Sequence, residues 1–117
     1  MSPNSPLPEA DELSRTVIDD YVHARWAALT TRFDAVMREK LTEDALASGW
    51  AQVDEMVGAY KSHGDPAAKR ATDELTYTDT MLFFERGELV CRITFRDDQT
   101  IAGLFLLNPK VVAALEE

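Results

Sequence analysis

Two histidines, one cysteine and a scatter of serines and carboxylates are the side chains here with chemistry to offer. His23 and His63 stand far apart with no His-Glu-x-x-His or comparable ligand spacing, so they read as surface histidines. Cys91 falls in an alternating apolar run and reads as a small hydrophobe, since a nucleophilic thiol needs a base and an electropositive setting. Ser14, Ser48 and Ser62 sit in no Gly-x-Ser-x-Gly turn, so a serine hydrolase has no nucleophile elbow. Gly64-Asp65-Pro66 is a helix stop and not a phosphate loop. The doublets Asp19-Asp20, Asp54-Glu55 and Asp97-Asp98 read as solvated faces or a turn. Asp79 differs, because it lies mid-strand near Arg92, Thr94 and Arg96. Acid–base work would need it in a pocket that raises its pKa, whereas a position facing away from the helices favours an interface ion pair with Arg92 or Arg96. No catalytic residue, metal ligand or cofactor is assigned. Trp26, Trp50, Tyr60 and Phe105 are the candidates to line a small apolar-ligand pocket between helices and sheet, with a filled aromatic core as the plainer reading.

These residues need elements to hold them. Three helices are expected first. Pro8 suits a first helical turn, and Glu9, Asp11 and Glu12 complement the dipole there. Leu13, Val17, Tyr21 and Ala24 then recur at helical spacing. A second helical stretch covers Trp26–Leu41 through Leu29, Phe33, Val36 and Met37. Thr42 is an N-cap for the third helix, which carries Leu46, Trp50, Val53, Val57 and Tyr60 and ends at Ser62–Pro66. Gly49 and Gly58 inside it suggest close packing of another element or tolerated surface glycines. From Arg70 onward the composition turns to Thr, Phe, Ile, Val and Tyr. Turn signals at Arg86-Gly87 and Asp97-Asp98-Gln99 divide it into three antiparallel strands, Thr72–Glu85, Glu88–Arg96 and Thr100–Leu107. Val111–Glu117 is expected to add a final helical turn.

Side-chain alternation then sorts the strands into two faces. With Phe84 opposite Leu89 and Phe95 opposite Ile101, one face collects Leu82, Phe84, Leu89, Cys91, Ile93, Phe95, Ile101, Phe105 and Leu107 and should carry the helices. The other collects Met81, Phe83, Val90, Arg92, Leu104 and Leu106 beside Tyr77 and Asp79. An apolar patch on the second face marks an interaction surface unless the C-terminal helix or the N-terminal tail folds over it. The expected dimer interface is therefore Met81, Phe83, Val90, Arg92, Leu104 and Leu106. A loop one residue shorter at Asp97–Gln99 would flip the third strand.

Composition bounds the rest. The 117 residues suit one domain, with residues 1–8 a disordered proline-rich tail and 9–117 a single α+β domain. The net charge of −9 argues against nucleic-acid binding, and one cysteine excludes an intrachain disulfide framework or a multi-cysteine zinc site. The start lacks a signal peptide's basic region and apolar core, and no run of ~20 apolar residues could span a membrane. A cytoplasmic location follows from those expectations and the free thiol.

Particular segments resemble a bacterial family, the domain of unknown function thirty-eight eighty-seven, often found ahead of α/β-hydrolase domains or standing alone. They are Arg25-Trp26 with Arg32-Phe33-Asp34, Leu41–Leu46 leading to Trp50, Gly58–Ser62, Phe84–Leu89, Arg92–Phe95 and Ile101–Phe105. The resemblance implies a curved antiparallel sheet carrying helices, a truncated cone of the nuclear transport factor 2-like (cystatin-like) type, with a break after the first helix. It also implies dimerisation through the sheet and, in some relatives, a pocket under the helices. The expected function is thus a non-enzymatic domain that self-associates and binds a small apolar ligand or a protein partner. The alternatives are an isomerase- or dehydratase-like enzyme and an accessory module of a separately encoded hydrolase.

Overall fold

The computed structural model describes residues 5–115. Among them, five helices and five strands follow as α1 (Ala10–Val22), α2 (Trp26–Thr31), α3 (Ala35–Lys40), α4 (Glu43–Val57), β1 (Tyr60–His63), β2 (Ala67–Arg70), β3 (Leu75–Phe84), β4 (Gly87–Arg96), β5 (Ile101–Leu107) and α5 (Pro109–Leu115). The sheet is antiparallel in the order β1-β3-β4-β5, and β2 lies beyond β1 along the same edge of β3. An α+β fold is therefore present, but with two strands more than the meander expected from sequence. The difference starts at Gly58. It caps α4 at φ 84°, a conformation that costs glycine little, and frees Tyr60 to begin a strand instead of ending a helix. A Cβ at Gly58 would also lie 2.8 Å from the Glu85 Cβ, so the β3–β4 turn approaches closely there, whereas Gly49 meets nothing.

The helical stretch breaks twice. Ala24, at φ 58°, turns the chain between α1 and α2. A second break at Arg32–Asp34 splits the helix expected over Trp26–Leu41. There Phe33 forms a parallel bridge with Ile101, and Asp34 starts α3 by accepting the Met37 N–H at 2.8 Å. An aspartate N-cap is the local sign of that break. Thr42 caps α4 as expected, accepting from the Ala45 N–H.

Of the tail expected over residues 1–8, residues 1–4 lie outside the described part. The rest is docked and not free: Leu7 is buried and its N–H donates to Thr76 Oγ1 at 2.8 Å.

Registers decide the faces. The first hairpin turns on Glu85-Arg86, pairing Phe84 with Gly87, Leu82 with Leu89 and Thr80 with Cys91. That is two residues from the expected pairing, and a shift of two leaves every side chain on its face. Phe95 does pair with Ile101, but the register then slips by one, so that Thr94 meets Gly103 and Ile93 meets Leu104. This β-bulge at Ala102 turns Leu104 and Leu106 toward the helices and Phe105 and Leu107 away. The helix-side core joins Val17, Ile18, Leu29, Phe33, Met37 and Leu46 to Leu82, Cys91, Ile93, Phe95, Ile101 and Leu104.

Candidate functional site

The outer face of the sheet, opposite α1 to α4, carries the most unusual arrangement in the molecule. Asp79 and Arg92 are cross-strand partners on β3 and β4. Their fork-to-fork pairing has Nε and a terminal guanidinium nitrogen each 2.8 Å from a carboxylate oxygen. The two side chains are only 16% and 19% exposed, so both charges are largely withdrawn from water and need one another. The Arg92 guanidinium also lies 4.4 Å from the centroid of the Tyr77 ring, which lends its π-face to the cation. Around this group, Met81 is half-buried and Phe83 and Phe105 are 38% and 54% exposed. The Phe105 ring lies over Gly103, where a Cβ would stand 3.0 Å from it.

One corner of that face is covered. α5 returns against β4, and Val112 and Val90 are both buried there, apart from the helix-side core. Val111 on the same helix is left 48% exposed.

The expected interface residues therefore divide. Met81, Phe83, Val90 and Arg92 do share the outer face, though Val90 lies in the corner covered by α5. Leu104 and Leu106 do not belong with them: the Ala102 bulge places them on the helix side, where Leu104 is 8% exposed. Phe105 takes their place. Gly103, a glycine inside a strand, is the sequence mark that a bulge was near.

The pocket candidates divide for the same reason. Trp26 and Trp50 flank Tyr21, with ring centroids 5.9 and 4.9 Å away. Trp50 and Tyr60 in turn pack on Phe84 at 5.9 and 6.0 Å. These rings lie against one another and the helix-side core. Phe105 points away on the far side of the sheet and cannot line a cavity with them.

Other chemistry-bearing groups have structural partners. Cys91 is fully buried, and burial pushes its thiol up to about 12, which keeps it protonated. Tyr21, largely enclosed, is pushed up for the same reason. Ser14 Oγ and Thr78 Oγ1 hydrogen-bond each other between α1 and β3, while Thr80 Oγ1 is buried with no partner among the described residues. Asp20 is buried rather than solvated and accepts from Arg25 Nε at 3.0 Å and Arg32 Nε at 3.3 Å. His23 faces Asp19 at the exposed end of α1, and His63 lies half-buried on β1 against the Gly64 carbonyl. A hollow of about 450 Å³ beside α3 includes Asp34, Arg38 and Arg96. Its charges are already engaged: Arg96 Nε donates to Asp34 at 2.8 Å, and Arg38 donates to the Thr30 and Thr31 carbonyls. The Met37 N–H, and then Arg96, hold the Asp34 carboxyl below its usual range.

Among the described residues, no three His, Cys, Asp or Glu side chains come together as a metal would require, and no helix is long and apolar enough to cross a membrane. No curated protein and no solved structure shows significant similarity to the chain. A family model described as "Protein of unknown function (DUF3887)" matches residues 14–104, from the buried serine of α1 to the bulged strand β5, and the chain belongs to that family.

Proposed function

We propose that residues 9–117 act as one non-catalytic, cytoplasmic interaction domain that pairs with a second copy through the outer face of its sheet. The observation that carries this reading is the exposure of Phe83 and Phe105 on a face whose central charges, Asp79 and Arg92, already neutralise each other. The two central charges can be covered without stranding either, and drying the two rings contributes ~25 cal/mol per Å² buried, with Glu88, cross-strand from Phe83 and exposed, left at the wet rim. The mixed fold with helices massed on one side also supports the narrower description of a cone of the nuclear transport factor 2-like type, in which sheet-to-sheet dimers are common.

An isomerase- or dehydratase-like role would need a proton-transfer group under the helices. Tyr21 and Cys91 lie there and burial holds both in the protonated form, which favours binding over catalysis. The packing of Trp26, Trp50 and Tyr60 onto neighbouring rings likewise favours a protein partner over a small apolar ligand.

Light scattering on purified protein tests the proposal. The expected result is a dimer at high micromolar concentration, converted to a folded monomer by Phe83→Asp or Phe105→Asp. A wild-type monomer under those conditions, or a dimer indifferent to both substitutions, overturns it.

A further inference from the structure

The free edge of β5 offers a second binding surface, which meets the outer face at Phe105. Arg32–Asp34 pairs with that edge only at its start. There the Ile101 N–H donates to the Arg32 carbonyl at 2.8 Å, and the Asp34 N–H donates to the Ile101 carbonyl at 2.9 Å. Past Ile101, among the described residues, no strand lies alongside and no backbone hydrogen bond reaches that edge. Beside this open stretch, α3 and β5 enclose a groove of about 340 Å³. Val36, Met37 and Leu41 form one wall, and Leu104 and Phe105 stand on the other. Lys40 also lines the groove, is exposed, and forms no ion pair among the described residues. It is thus an unanswered positive charge in a chain of net charge −9.

We infer that this edge takes up an extended peptide segment of a partner protein by strand addition. The segment's alternate side chains are apolar, and an acidic residue meets Lys40. Unpaired N–H and C=O groups on β5 supply main-chain bonds, and the trough beside them sorts side chains at every second position. A groove of this volume holds a few side chains of a single strand, not the face of a second domain. Charge complementarity selects an acidic segment over a basic one.

Two labelled, end-blocked hexapeptides test this, Asp-Val-Thr-Val-Thr-Asp and Lys-Val-Thr-Val-Thr-Lys. Anisotropy should show the aspartate peptide binding about twofold to fivefold more tightly, the range of one exposed ion pair. Lys40→Glu should reverse that preference. Amide shifts of the 117-residue chain should concentrate at Ala102–Leu107 and along α3. Val36→Glu, at a residue 53% exposed, should weaken binding at least tenfold and leave the molar mass by light scattering unchanged. Absence of saturable shifts at β5, or equal binding of both peptides to the wild type and to Lys40→Glu, overturns the inference. So does a molar mass that falls in Val36→Glu, since a second copy would then fill the groove. The outer-face dimer is judged separately by Phe83→Asp, so either reading can fail alone.

Discussion

The two sides of the sheet share their strands and differ in what lies on them. On the helix side, Thr80, Leu82, Cys91, Ile93 and Phe95 are at most 1% exposed, while on the outer side Phe83 and Phe105 remain 38% and 54% exposed. Apolar content does not separate them, because Met81, Phe83, Val90, Phe105 and Leu107 make the outer face greasy as well. Supply of covering elements does. Four helices contribute to the helix-side cluster, whereas on the outer side the seven-residue α5 packs against β4 at the corner around Val90. Polar groups differ accordingly. The helix side buries Thr76 and Thr78 with amide and hydroxyl partners and Thr80 with none among the described residues, and the outer side keeps a forked ion pair still partly open to water. A sheet so unevenly covered is dry on one side and still partly open to water on the other.

The sharpest way to break this contrast is to hollow the dry side. Phe95→Ala should cost ~3–5 kcal/mol, because the cavity it leaves sits in a fully packed layer. A urea midpoint shift much smaller than that would mean the helix side is loosely packed. Asp79→Ala on the outer side should cost ~2 kcal/mol. The pair lies between the buried ion pairs that cost several and the exposed ones that cost a fraction. A loss under ~0.5 kcal/mol by the same titration would show Arg92 to be as well served by water.

Smaller effects sharpen it further. Asp34→Ala should cost ~1 kcal/mol at neutral pH through loss of the α3 cap. Because the folded carboxyl titrates below its ordinary value of 3.8, that contribution is full above the ordinary value and fades as pH falls through the folded one. Urea titrations of wild type and variant should therefore converge in acid; a constant gap would assign the effect to something other than the charge. Thr80→Val should go the other way, raising stability by up to ~1 kcal/mol, since it removes a buried hydroxyl that has no partner among the described residues. Destabilisation on thermal melting would reveal a partner for that oxygen.

Local chemistry made much of this fold legible. Alternation between Tyr77 and Arg96 sorted β3 and β4 onto the correct faces even though the hairpin turns one residue earlier than its Arg86-Gly87 signal suggests, because the error in pairing was a whole side-chain period. Thr42 marked a helix start through its own hydroxyl. The segments that carried the family resemblance also have visible structural work. Arg25 and Arg32 neutralise Asp20, Asp34 caps α3 and holds Arg96, and Glu85 accepts the Ala59 N–H where α4 meets the β3–β4 turn. What stayed hidden depended on partners distant in the chain. β1 and β2 are four residues each and alternate weakly; they exist as strands because β3 offers them an edge.

The amino-acid order by itself determined the helix-then-strand plan, the charges, the Thr42 cap and the alternation of β3 and β4, since each follows from neighbours within a few residues. Only the tertiary structure decided the bulge at Ala102, and with it whether Leu104 or Phe105 faces outward. A one-residue slip inverts every side chain that follows it, and its energy is settled by what packs on both sides of the sheet, not by the strand itself.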